Sequence, residues 1–199
     1  MPPKPKLAIS ACLMGEPCTY RGGHHRLDCL AQLEAAFDLV PLCPETAGGL
    51  PVPRDPAEIS GGRVVSCAGE DVTDAFVRGA GSCLAHALDA GCTHALLKGK
   101  SPSCGCGSVY DGTFSGRLVA GDGITAALFK KAGIEVFPDT KARMLIEAAS
   151  TARGYAARSG GCLLAPATVR VPGSAARSLR RMTQTIPYGD ARCLAHARR

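Results

Sequence analysis

The chain has 199 residues, 46% of them hydrophobic, and a formal net charge of +6, enough for one domain with a true core and at most an appendage. No apolar run approaches the ~20 residues that span a bilayer, and "MPPKPKLAIS" lacks the apolar stretch of a secretory signal, so a cytoplasmic protein is expected. The charge is lopsided: from Ser150 onward there are nine arginines, no lysine and one acid, Asp190, which puts +8 in the tail, leaves −2 for the rest and excludes a nucleic-acid face built on the main domain.

Taken in chain order, "KLAIS" reads as a short buried strand and "ACLMGEPCTYRGGHH" as a long loop after it. "LDCLAQLEAAF" has helical spacing, with Leu27, Leu30, Leu33 and Phe37 near one face. "DLVPLC" is a second strand that ends at Cys43, and "PETAGGLPVPRDPAEISGG" is too rich in proline and glycine to be helical. "RVVSCAGED" supplies half of a small hairpin. "DVTDAFVRGAGSCLAHALDAG" is a helix capped by Asp71 or Thr73 and stopped near Gly91. "THALLK" is a third strand, followed by the loop "KSPSCGCG". "GDGITAALFKKAG" is a helix with Asp122 at its cap, "IEVF" a fourth strand, and "DTKARMLIEAASTARGYAAR" a last helix.

Strands alternating with helices predict an α/β fold, a Rossmann-like three-layer unit with a mostly parallel sheet. The expected organisation is a domain over residues 1–158 and a loosely structured, arginine-rich extension over 159–199.

Eleven cysteines need a reason. Their odd number, irregular spacing and lack of an export signal exclude a disulfide framework, leaving metal ligands, catalytic thiols and core thiols. Cys12 follows the first strand, Cys43 ends the second and Cys104 follows the third. In an open parallel sheet the carboxyl ends of the strands share one edge, where ligands bind, so three cysteines from three strands are expected to converge there. Glycine or proline accompanies each of them, in "ACLMGEP", "CPETAGG" and "SPSCGCG", and backbone N–H groups in such loops can face a thiolate cluster.

Three thiolates without a CxxC pair fit a 4Fe–4S cluster with one open iron, while three-cysteine zinc with a bound water is the competing chemistry. Cys18 and Cys106 share loops with Cys12 and Cys104 and stand as alternates; Cys29, Cys83 and Cys92 read as core, Cys67 as a hairpin residue, and Cys162 and Cys193 lie in the tail. Glu45, two positions after Cys43, is placed to move protons or to cap its loop. Ser101 and Ser103 flank Pro102 and could orient a substrate or close the loop. Lys98, Lys100, His24 and His25 read as solvated loop residues as readily as pocket residues.

The motifs "ISACLMGEPC", "LCPETAGGLPVPR", "PAEISGG", "GEDVT", "KSPSCG", "YDGTFSG" and "GDGITAAL", in this order, resemble the thiouracil desulfidase family from about Lys6 to Phe137. The resemblance implies an iron–sulfur enzyme that removes sulfur from thiolated uracil without net redox change. It implies cluster ligation by Cys12, Cys43 and Cys104, an active-site acid at Glu45 and an active-site serine at Ser101. The products would be uracil and hydrogen sulfide. "TYRG" stands where family members often read "RYDG", and Cys106 stands where serine is common. By the same resemblance, larger relatives act on thiouridine in RNA and carry an additional domain, which the arginine-rich tail does not resemble. The alternative from another class is a noncatalytic zinc- or nucleotide-binding module whose basic tail contacts RNA.

Overall fold

The computed structural model describes residues 3–158. The expected extension over 159–199, with Cys162 and Cys193, lies outside the described residues.

The chain runs β1 (Lys6–Ser10), α1 (Ala11–Met14), α2 (Leu30–Ala36), β2 (Asp38–Leu42), α3 (Pro44–Ala47), β3 (Ala57–Ser60), β4 (Arg63–Ser66), α4 (Thr73–Asp89), β5 (His94–Leu97), β6 (Ser108–Tyr110), β7 (Leu118–Ala120), α5 (Ile124–Lys131), β8 (Glu135–Pro138), a 3-10 turn (Asp139–Lys141) and α6 (Ala142–Arg158). Four strands pair in the order β2-β1-β5-β8, all parallel. Parallel strands are covered on both faces, and the apolar run Leu7-Ala8-Ile9 is fully buried.

Alternation along the strands divides the core. Ala8, Ala95, Leu97 and Val136 pack with Leu84 and Ala87 of α4 and Phe129 of α5. Leu7, Ile9 and Leu96 pack with Leu33 of α2 and Leu145 of α6. The result is the expected three-layer α/β unit. The chain leaves β1 for β2 on one side, then returns to place β5 on the other, so a topological switch point lies between β1 and β5, the position at whose carboxyl ends open α/β sheets bind ligands.

Two segments read as pure loop contain a helical turn. Ala11–Met14 winds once directly after β1 and is stopped by Gly15 at φ 105. Pro44–Ala47 winds once after β2, with Pro44 in the first turn, where its missing N–H costs nothing. This second turn can form because glycines let it lie against α4: a Cβ on Gly79 would sit 1.8 Å from Pro44 O, and one on Gly48 would sit 2.0 Å from Ala75 O.

The proline-rich stretch also contains β3, which pairs with β4 as a small antiparallel hairpin. A second hairpin, β6–β7, follows the Cys104 loop. Glu58 of β3, 8% exposed, fastens its tip by accepting the Gly112 and Phe114 N–H groups at Oε2, at 2.9 and 3.0 Å. The cap expectations are only partly met. Asp71 Oδ1 accepts the Thr73 N–H at the start of α4, but Gly123 occupies the cap position of α5. Asp122 instead accepts the Gly107 N–H and pairs with Lys130.

Candidate active site

Each of the three strand-end cysteines leaves the sheet in its own way. Cys12 sits inside α1, two residues past the end of β1, and is buried. Cys43 takes an extended conformation between β2 and α3 and is half-buried. Cys104 lies in the tight loop after β5 and is buried. That loop is drawn closed by backbone bonds: Gly105 N–H donates to Ser101 O, Ile124 N–H to Pro102 O and Thr125 N–H to Ser103 O. Ser103 is fully buried and shares a 2.9 Å hydrogen bond with Thr125. A Cβ on Gly123 would fall 2.4 Å from Ser103 O, so the start of α5 presses directly on the loop.

Cys18 reaches the same place from the loop after α1. Its thiol is hydrogen-bonded to those of Cys12 and Cys43 and is pushed up to about 11, chiefly by the Cys12 bond. The Cys43 thiol points at Cys18 O, 3.9 Å away. It is raised by its bond to Cys18 and then by burial. Burial pushes Cys104 up to about 12, and the neighbouring Glu45 and Cys43 act in the same direction. These groups are thiols until a cation compensates them, because thiolates buried without positive charge are costly.

Cys106, the other alternate, turns its thiol toward Val136 O at 3.4 Å. Cys29, Cys83 and Cys92 are buried in the core, and Cys67 is exposed just past β4.

Glu45 and Ser101 meet although 56 residues separate them: Ser101 Oγ donates to Glu45 Oε1 at 3.4 Å. The same Ser101 oxygen accepts the backbone N–H groups of Ser103 and Cys104, at 3.1 and 3.2 Å. Thus one hydroxyl joins the carboxylate of the β2 end to the cysteine loop of the β5 end.

The other carboxylate oxygen is taken by Arg54. Its Nε lies 2.7 Å and its Nη2 2.5 Å from Glu45 Oε2, and its side chain is only 7% exposed. Sequence reading passed over Arg54. The available cue was that Arg54 is the single cation of the proline-rich stretch from Pro44 to Gly62.

The remaining polar candidates lie around the same edge. Lys98 Nζ is paired with Asp139 at 2.7 Å, and Ser10 Oγ accepts the Lys98 N–H. Lys100 is exposed at φ 68. His24 and His25 are exposed, but the His25 backbone N–H donates to Cys12 O at 2.8 Å and thereby holds its loop against the cysteine turn.

Among the described residues, no three His, Cys, Asp or Glu side chains form a group arranged to hold a metal ion. The donor set is made of thiols on glycine-bearing loops, the chemistry suited to an iron–sulfur cluster.

The sequence matches the 2-thiouracil desulfurase family over residues 7–141. It is 40% identical over 145 residues to the uncharacterized protein YbbK of Bacillus subtilis (strain 168), covering 68% of this chain and 96% of the relative. The fold matches a solved structure of the 4Fe–4S-dependent thiouracil desulfidase TudS with a TM-score of 0.70 and 45% identity, over 74% of this chain and 99% of that one.

Proposed function

The chain belongs to the 2-thiouracil desulfurase family, and from that premise we propose that it is an iron–sulfur desulfidase that replaces the sulfur of a thiolated uracil with oxygen. The substrate class is 2- or 4-thiouracil or a thiouridine nucleotide. The observation that carries this reading is the meeting of Glu45 and Ser101 beside the Cys104 loop, at the strand-end edge of the sheet where Cys12 and Cys43 also emerge. Likeness to a 4Fe–4S-dependent thiouracil desulfidase supports it.

Cys12, Cys43 and Cys104 would hold the cluster, leaving one iron without a protein ligand. When bound, such a cluster supplies a Lewis-acidic iron open to the thiocarbonyl sulfur. Glu45 Oε1 takes a proton from a water molecule as its oxygen bonds to the ring carbon. The same carboxyl then returns that proton to the departing sulfur as the C–S bond breaks, and the hydroxyl's remaining proton leaves for the hydrosulfide as the new C=O bond forms. Ser101 donates to Oε1 and keeps that oxygen turned toward the reacting centre. Thiouracil and water become uracil and hydrogen sulfide, with no electron supplied or removed.

No helix among the described residues is long and apolar enough to cross a membrane. We assign the chemistry to residues 1–158 and treat 159–199 as an extension outside it.

Anaerobically reconstituted protein should contain about four irons and four sulfides per chain and should convert 2- or 4-thiouracil to uracil and sulfide. Loaded protein that releases neither product would refute the proposal.

A further inference from the structure

Arg54 spends its guanidinium in a way that gives the two oxygens of Glu45 different jobs. Nε and Nη2 both donate to Oε2. Oε1 is left with the 3.4 Å contact to Ser101 among the described residues. Two further guanidinium donors go to backbone: Nη2 also donates to Cys18 O at 3.0 Å and Nη1 to Pro51 O at 3.1 Å. The backbone of Arg54 is tied too, since its N–H donates to Tyr20 O at 2.8 Å. The cation therefore touches Glu45 and the loop that carries Cys18, while being itself almost fully buried.

We infer that Arg54 is a positioning residue for the desulfuration: it clamps Glu45 Oε2 so that Oε1 is the working oxygen. The inference rests on the assignment of Glu45 as the proton-handling acid. A planar fork with fixed donor directions can hold one carboxylate oxygen and a carbonyl together, and an ammonium cannot hold both in that geometry. The Glu45 backbone needs no such help, because α3 is already seated against α4 by Gly48 and Gly79. What remains free without Arg54 is the side-chain torsion of Glu45, and a carboxylate free to rotate offers either oxygen, or neither, to the water.

The plainer role for Arg54 is a staple between the loops at Cys18 and Pro51. The two roles separate in a double-mutant cycle. In cluster-loaded protein, Arg54→Lys and Arg54→Ala should lower kcat by about tenfold or more with KM changed far less, the pattern of a lost transition-state interaction. Iron content and the visible spectrum should stay as in the parent. The same substitutions in a Glu45→Gln background should add almost nothing. Guanidinium ion supplied in solution should restore part of the Arg54→Ala rate in a saturable manner, but not that of Arg54→Ala/Glu45→Gln. A staple would instead lower iron content and thermal stability, add its loss to that of Glu45→Gln and resist rescue, and that result would overturn the inference. If Arg54→Ala does not fold, the cycle with Arg54→Lys decides in the same way. Parent-like turnover by Glu45→Gln would instead overturn the reading of Glu45 itself. A slow Glu45→Gln beside parent-like Arg54 variants would sink only the role of Arg54.

Discussion

Ser101 Oγ stands between Glu45 Oε1, 3.4 Å away, and the backbone N–H of Cys104, 3.2 Å away. A side chain from the β2 end and a cysteine from the β5 end are thus joined through one oxygen atom. The hydroxyl has a single proton, and with two N–H groups directed at its lone pairs that proton is turned toward the carboxylate.

Glu45→Gln should keep the cluster and still bind thiouracil, but turn over about 100-fold more slowly, the low end for losing a general acid–base group. Glutamine preserves size and some hydrogen bonding and removes the proton acceptor. Ser101→Ala should lose about tenfold, the worth of one hydrogen bond to a charged group. Steady-state rates on iron-matched samples check both, and near-parent turnover by Glu45→Gln would leave Glu45 a loop support.

Cys12→Ser, Cys43→Ser and Cys104→Ser should each lose most of the bound iron and all turnover. Cys92→Ala is the control. Cys92 is buried like Cys12 and Cys104, but it precedes β5 and so lies at the opposite edge of the sheet. It should keep both properties with some loss of stability. Iron analysis and the visible spectrum after anaerobic reconstitution distinguish the two groups. Full iron in Cys104→Ser, with iron lost in Cys18→Ser, would move the third ligand to the loop after α1.

The parallel sheet was legible because its strands are short apolar runs set between helical periods, and strand direction alone collected the three cysteines on one edge. The single turns α1 and α3 were not legible. Four residues carry no period, and what winds them is tertiary: a glycine stop at Gly15 and the glycine contacts of Gly48 and Gly79 with their neighbours. The β6–β7 hairpin escaped for a different reason. All three residues of β7 are exposed, so no buried alternation marks it, and its tip is held by a distant acid, Glu58. Arg54 escaped because its partners lie in two other loops, a relationship that spacing along the chain does not encode.

The seat of α3 can be tested without touching a polar group. Gly79→Ala would drive a methyl to 1.8 Å from Pro44 O, which is backbone and cannot rotate away. The turn that carries Glu45 must then shift. Overpacking of this kind costs ~1–3 kcal/mol, and turnover should fall with stability. Gly81 lies in the same helix, but its added Cβ meets nothing within 4 Å. Gly81→Ala should therefore stabilise by ~0.4–1 kcal/mol through the unfolded chain and leave kcat unchanged. Thermal melts and rates of the pair decide, and a Gly79→Ala protein as stable and active as Gly81→Ala would contradict the packing argument.

The loop after Cys104 has a second anchor with a predictable dependence on pH. Asp122 Oδ1 accepts the Gly107 N–H at 2.8 Å, and Lys130 Nζ donates to both Asp122 oxygens at 2.8 Å. Burial pushes the Asp122 carboxyl up, but the Lys130 ammonium and the Gly107 N–H outweigh it and hold it below the usual carboxylate range. Burial pulls Lys130 down, but Asp122 and the nearby Cys106 sulfur outweigh it and hold it above the usual lysine range. A depressed carboxyl adds stability above its unfolded value and loses it as pH falls through the native one. A raised amine adds stability below its unfolded value and loses it as pH rises through the native one. The pair is partly solvated, so screening keeps the effect small. Asp122→Asn should therefore melt below the parent on a plateau across neutral pH. The gap should close toward acid, below the usual carboxylate range, and narrow toward strong base. Melting curves of parent and variant across that range are the measurement, and a gap that stays constant into acid would show that the carboxylate's charge does not hold the loop.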